Sequence, residues 1–340
     1  MRVVWAQLPP PRELDSLVSF LEVGELNALS SDASSQAIAE SSRYTPVERE
    51  AVRAMWRRTT ERLQTTSLQW VPAIDARDSR VSLEHRARGI HGDSLEAWCA
   101  LDARFWNESL APAYHALAQF AANQADLVPA IVFDLEPPGA GSGMGYAFCD
   151  STYRAGLEAM VRDTVPLLSP ERADRLAALP VEARYDSLLE SGLLRRYYGA
   201  LERLVAGRAA AIRADVRRVA PDLLFAVHSA QAPGDWFSLG LLRGLSGADA
   251  PLLLWSREVR TRDLLAHYRQ RGINAIHAVG LSPALVAPAA WPLLRRVAFD
   301  ENDGFWIASP ERLLDGLRLP EGALSADSLG RLIRRLAKER

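Results

Sequence analysis

Cysteine is nearly missing from this chain: Cys99 and Cys149 are the two in 340 residues. They give no metal-binding spacing and no disulfide framework. The six histidines are scattered, with no His-x-His or His-Glu-x-x-His arrangement. A structural metal is therefore disfavoured, and a carboxylate-bound ion is the one metal site left open. No apolar run approaches the roughly 18 residues of a membrane span. The first residues carry neither the basic nor the apolar segment of an export signal. The expectation is a cytoplasmic location, or export where a signal has been removed or lies upstream. Lys and Arg number 40 against 42 Asp and Glu, a formal charge of -2. No basic stretch with interleaved aromatics accompanies them, which argues against nucleic acid as a partner. The glycine-rich stretch Gly139–Asp150 has no dinucleotide fingerprint and no Gly-Lys-Ser/Thr. It implies no organic cofactor and reads as a loop covering a substrate. Nothing in the sequence fixes an oligomeric state.

What is present is a globular composition, 48% hydrophobic and 24% charged. Short apolar runs recur between helical patterns. They predict strands at residues 3–7, Glu25–Leu29, Leu68–Ile74, Pro129–Leu135, Leu223–Val227, Pro251–Trp255, Ile273–His277 and Gly304–Ala308. Thr45-Pro46-Val47-Glu48 supplies an N-cap, a proline at the first helical position and a capping-box glutamate for a helix to Leu63. Asp93 and Glu96 read as a second capping box, opening a long helix through Trp98, Phe105, Leu110 and Leu117 that Pro112 kinks or splits. Residues 31–44, polar and Ser-rich, read as a loop. Eight strands alternating with helices imply an α/β fold, a (β/α)8 TIM barrel forming one domain over residues 1–340. A mostly helical insertion, 151–218, separates strands four and five.

Functional groups in such a barrel sit at the carboxyl ends of the strands. The sequence brings Gln7, Asp75, Asp134, Glu136, His228, Gln231, Glu258 and Trp306 there, and acids dominate. Strand four ends in Asp134-Leu135-Glu136 before two prolines. Alternation sets both acids on one face, about 6–7 Å apart by Cα rise. Opposed carboxylates are what glycosidic bond cleavage requires: one protonates the leaving oxygen, and another activates water, attacks the sugar or stabilises the cationic transition state. Glu136 is the expected acid, and Asp134 is the like-charged partner with which it shares a proton. Glu258 or Asp75 supplies the opposing carboxylate, with retention and inversion both open. Trp306 and Trp236 are the expected sugar platforms, joined by Trp5, His228, Gln231 and, in the covering loop, Tyr146. Each has an ordinary alternative. Asp134 and Glu136 suit satisfied structural carboxylates, Asp75 a turn cap, Glu258 a helix-end charge, His228 a rim histidine and the tryptophans core.

These residues resemble the glycoside hydrolase TIM barrels, and locally their chitinase-like branch. There strand four ends in Asp-x-Glu, and a tryptophan on strand eight floors the sugar subsite; Asp134, Glu136 and Trp306 stand at the matching positions. The resemblance implies a carbohydrate substrate, proton donation by Glu136 and a helper role for Asp134. The branch has another aspartate two residues before the pair, where this chain has Val132, so no particular sugar is implied. Two further readings stay open. One is a metal-assisted barrel hydrolase or lyase with Asp75, Asp134, Glu136, His228 and Glu258 as ligands; the other is a non-catalytic carbohydrate-binding barrel.

Overall fold

Alternation along the strands sorts the apolar side chains into two layers, one inside a closed sheet and one between that sheet and its helices. The structure is a computed structural model that describes residues 2–5, 11–23, 26–39, 44–75, 81–135, 146–163, 168–229, 231–258, 261–281, 296 and 302–308. In chain order the elements are β1 Arg2–Trp5, α1 Pro11–Val23, β2 Ala28–Asp32, α2 Gln36–Ala39, α3 Pro46–Leu63 and β3 Gln69–Asp75. A hairpin, β4 Arg86–Arg88 and β5 Ser94–Trp98, precedes α4 Ala111–Ala122 and β6 Ala130–Asp134. Next come α5 Asp150–Val161, α6 Pro170–Ala177, α7 Val181–Glu190, α8 Leu194–Val219 and β7 Leu224–His228. The last are α9 Trp236–Leu245, β8 Leu252–Ser256, α10 Thr261–Gln270, β9 Ala275–Leu281 and β10 Phe305–Ala308. Eight strands, all parallel, close in the order β1-β10-β9-β8-β7-β6-β3-β2. The fold is the expected (β/α)8 barrel.

The lumen is lined mostly by small residues, among them Ala28, Ala73, Ala130, Ala226 and Ala278, with Trp255 and Trp306 supplying the bulk. Small neighbours make room for the two indoles, and side chains rather than solvent fill a barrel of this size. The outward set, including Leu29, Ile131, Phe133, Val227 and Leu254, joins the core under the helices. Between β6 and β7 the chain forms four helices among its described residues. The longest, α8, lies close along α9 because a Cβ at Gly240 or Gly244 would come within 2.6 Å or 2.4 Å of α8 atoms.

The capping box at Thr45 forms as expected: Glu48 N–H donates to the Thr45 hydroxyl at 3.3 Å and Thr45 N–H donates to the Glu48 carboxylate at 2.7 Å. Several expectations need correction. Asp93 and Glu96 open no helix; Ser94–Trp98 is a strand. Gly92, at φ 79, and the Gly89 N–H to Asp93 C=O bond of 2.9 Å make the turn between β4 and β5. The helical run starts later and enters α4 through a π-turn, Phe105–Leu110, with Ala111 N–H bonded to Trp106 C=O. Pro112 follows at once: it brings no N–H and its ring crowds the preceding turn, and the wider π-turn relieves both. Residues 31–44 are not simply a loop, since β2 extends to Asp32 and α2 follows. Buried Ser30 donates to Val71 C=O at 2.9 Å and Ser31 accepts from Trp70 Nε1–H at 2.9 Å, so polar residues continue the strand at no hydrogen-bond loss. Likewise β9 runs on past His277. That fully buried ring sits against Ser256 at 2.9 Å, Thr261 at 3.0 Å and Asn302 at 2.7 Å.

Cys99 and Cys149 are bonded to each other, with Cα atoms 6.0 Å apart. This overturns the expectation of no disulfide: a separation of 50 residues says nothing about distance in space. Cys99 follows β5 and Cys149 precedes α5, so the bridge staples the hairpin to the segment that leads out of the β6 loop. The same segment is tied by Tyr197, whose hydroxyl donates to Ala147 C=O at 2.5 Å, and by buried Arg184, which donates to Phe148 C=O at 2.6 Å. Replacing both cysteines with serine is expected to lower unfolding free energy by about 4 kcal/mol, the chain-entropy value for a loop of this length. Urea denaturation measures it, and equal midpoints would contradict a structural role. Burial holds the His277 pKa below its ordinary 6.5. The unfolded chain therefore binds the proton first as pH falls, so stability is expected to drop below about pH 6.5. In His277→Asn that part of the slope should vanish, which denaturation at several pH values will read.

Candidate functional site

The inward positions of β6 are Ala130, Val132 and then Asp134, while Ile131, Phe133 and Leu135 belong to the outer core. On the neighbouring strand β7, Ala226 and then His228 face inward, and His228 is the register partner of Asp134. The consequence is a buried pair. Asp134 Oδ1 lies 2.9 Å from His228 Nδ1, with the two residues 6% and 1% exposed. The contact binds one carboxyl oxygen of Asp134 to one ring nitrogen of His228 and so fixes the direction of both side chains. Trp5 stacks on the imidazole at 4.2 Å and 21°, and Trp306 meets it edge-on at 4.6 Å and 88°. Trp255 packs edge-on against Trp5 at 6.4 Å. The imidazole is thus oriented by a carboxylate and two indoles at the carboxyl ends of the strands.

Asp75 ends β3 in register with Asp134, on the same inward face as Val71 and Ala73, with neighbouring strands about 4.8 Å apart. Gln36 donates to its backbone carbonyl. The structure therefore gathers Asp134, His228, Trp5, Trp306 and, one strand over, Asp75. It does not gather Glu258: that residue shares the outward parity of Ser256, and its charge acts on His277 and Tyr268, both on the outer side of the sheet. Trp236 opens α9 with its ring 6% exposed and edge-on to Phe237, Gln231 is exposed beyond β7, and Tyr146 packs partly buried against the outer core. Glu136 and Gln7 lie outside the described residues.

Two rim residues were given no role in the sequence reading. Asp32 ends β2, but the strand was expected to stop at Leu29; its carboxylate accepts from Ser34 N–H at 2.8 Å and holds Ser34 at φ 48. Arg257, the next inward position after Trp255, sets its guanidinium 5.9 Å from the Trp306 ring centre. Weighing rim cations as well as acids would have given it one. Among the described residues, no group of three or more His, Cys, Asp or Glu is arranged to hold a metal ion.

No family model matches the chain, and no curated protein matches it by sequence. Solved structures do match. Over 99% of its length the chain superposes on 98% of the catalytic domain of β-amylase from Paenibacillus polymyxa, at TM-score 0.62 and 11% identity. The β-galactosidase of the Antarctic haloarchaeon Halorubrum lacusprofundi matches at TM-score 0.65 and 13% identity, over 100% of this chain and 58% of that one. That of the psychrophile Marinomonas ef1 matches at TM-score 0.65 and 11% identity, over 98% and 59%. The barrel is shared with glycoside hydrolases. At these identities the likeness is one of fold, and the chain spans a little over half the length of the two β-galactosidases.

Removing the imidazole tests the pair directly. His228→Ala opens a void between Trp5 and Trp306 and takes a partner from Asp134, so it is expected to cost about 2–4 kcal/mol. Unfolding in urea gives the loss, and near-ultraviolet circular dichroism should change with the indole packing. A loss below about 0.5 kcal/mol would mean that the pair does not order the lumen.

Proposed function

We propose that the chain is a glycoside hydrolase whose active site is the carboxyl-terminal mouth of the barrel. The single observation that carries the reading is the buried Asp134–His228 pair in its tryptophan setting. In this reading Glu136, two residues beyond Asp134 in the sequence, is the general acid. Asp134 has a divided task. One oxygen is engaged by His228, and the carboxylate's charge favours a proton on Glu136. Between the two candidates for the opposing carboxylate, inward-facing Asp75 fits better than outward-directed Glu258. Trp5, partly exposed with one face on His228, suits a wall against which a sugar ring stacks. The disulfide fits an oxidising compartment, and so favours export over a reducing cytosol.

The glycosidase barrels with matching fold support the reaction class without naming a sugar. Glu136→Gln is expected to lower kcat on a glycan panel by about 100-fold or more, as loss of a general acid does, with the fold intact by circular dichroism. Unchanged turnover would remove Glu136 from the role.

A further inference from the structure

Outside the barrel sheet a groove runs between α3 and α4, the two helices that pack on β3, with Ile38 of α2 also in its wall. Its volume is about 400 Å³, within the roughly 300–1,000 Å³ of small-molecule pockets. Trp56, Phe120 and Ala116 complete the apolar lining. The rings are held from behind. The Trp56 indole N–H donates to Ala33 C=O at 2.8 Å, its ring meets Phe120 edge-on at 5.4 Å, and Phe120 reaches Trp70 of β3 at 6.2 Å. Ala116 contributes a single methyl from α4, so the space between the helices is not filled. Phe120, Ile38 and Ala116 are half-buried, which leaves apolar surface facing water at a cost that a ligand would remove.

The charged groups of the lining are Arg53 and Arg57, one turn apart on α3, and among the described residues no acid lines the groove. Glu50, outside it, serves both arginines, 2.7 Å from Arg57 and 3.8 Å from Arg53. The hydrogen bond from Arg57 holds the Glu50 carboxyl below its ordinary 4.5, so it stays ionised. One negative charge thus stands against two positive ones, and the 3.8 Å contact is too long to occupy the Arg53 donors. Apolar walls with surplus positive charge on the α3 side suit an amphiphilic anion and repel an ammonium. We propose that the groove binds a small apolar monocarboxylate, its aliphatic or aromatic body against Phe120 and Ile38 and its carboxylate at Arg53 and Arg57. Guanidinium and carboxylate pair through charge-assisted hydrogen bonds. The site lies outside the sheet and does not depend on the hydrolase reading.

The test is calorimetric titration of the full-length protein with octanoate and phenylbutyrate, against octanamide and octylammonium as neutral and cationic counterparts. At least one carboxylate should bind about fivefold or more tighter than octanamide, and octylammonium should bind weakest. Replacing Arg53 and Arg57 together with alanine should erase that preference and leave octanamide binding in place. Glu50→Gln, which frees both guanidiniums, should tighten carboxylate binding about two- to threefold. Ala116→Leu, which fills the groove, should weaken carboxylates and octanamide alike by about tenfold or more. Circular dichroism checks that each variant is folded, and the arginine and glutamate variants, all at exposed positions, decide the case if Ala116→Leu is not. Octanamide binding as tightly as both carboxylates, a preference that survives loss of both arginines, carboxylate binding untouched in a folded Ala116→Leu protein, or no binding of either carboxylate would each overturn the proposal.

Discussion

The contact between Asp134 and His228 is the constraint on which the barrel mouth depends. Two strand-end residues in register, buried and 2.9 Å apart, are hydrogen-bonded in a lumen lined mostly by small residues and tryptophan. Once the imidazole is fixed, Trp5 can stack on one face and Trp306 can present its edge. Small residues elsewhere in the lumen make this crowding affordable in volume: Gly280 gives way to Trp306, and the alanines of β2, β3, β6, β7 and β9 leave the indoles their space. The mouth is thus ordered by one polar pair and by packing around it.

Support for that pair comes from outside the sheet. The segment leading from β6 into α5 is bound covalently to the β4–β5 hairpin and gripped through backbone carbonyls by Arg184 and Tyr197. On the opposite side, His277 ties β8, β9, the start of α10 and Asn302 into one buried polar cluster. These contacts lie away from the lumen, yet they fix the strands whose ends carry the candidate groups. Rigid support of this kind is what precise placement of catalytic groups demands.

Much of this was legible in the residues. Short apolar runs predicted the strands that form at Ala130–Asp134 and Leu224–His228, and eight such runs between helical patterns predicted the closed barrel. Thr45 and Glu48 announced their helix because a capping box is a local device. Most of the misreadings involve polar residues whose partners are remote in sequence. Ser30, Ser31 and His277 read as strand ends or loop because their hydrogen-bond partners, at Val71, Trp70 and Ser256, cannot be seen locally. Asp93 had the right spacing for a cap, but two glycines beside it made a turn instead. Cys99 and Cys149 meet only because the fold stacks two loops. Aromatic residues were legible as a class but not by place: Trp5 and Trp306 meet at His228, whereas Trp70 packs outside the sheet, where it contacts Phe120.

The central claim is that the mouth above Asp134 is where a glycosidic bond is broken. Its most direct test is a crystal structure of the protein holding an oligosaccharide that it cleaves, trapped in a slow variant. The account predicts a sugar ring beside Trp5, with the glycosidic oxygen within about 3.2 Å of the side chain at position 136. A ring bound elsewhere on the barrel, or a position 136 turned away from the lumen, would contradict it.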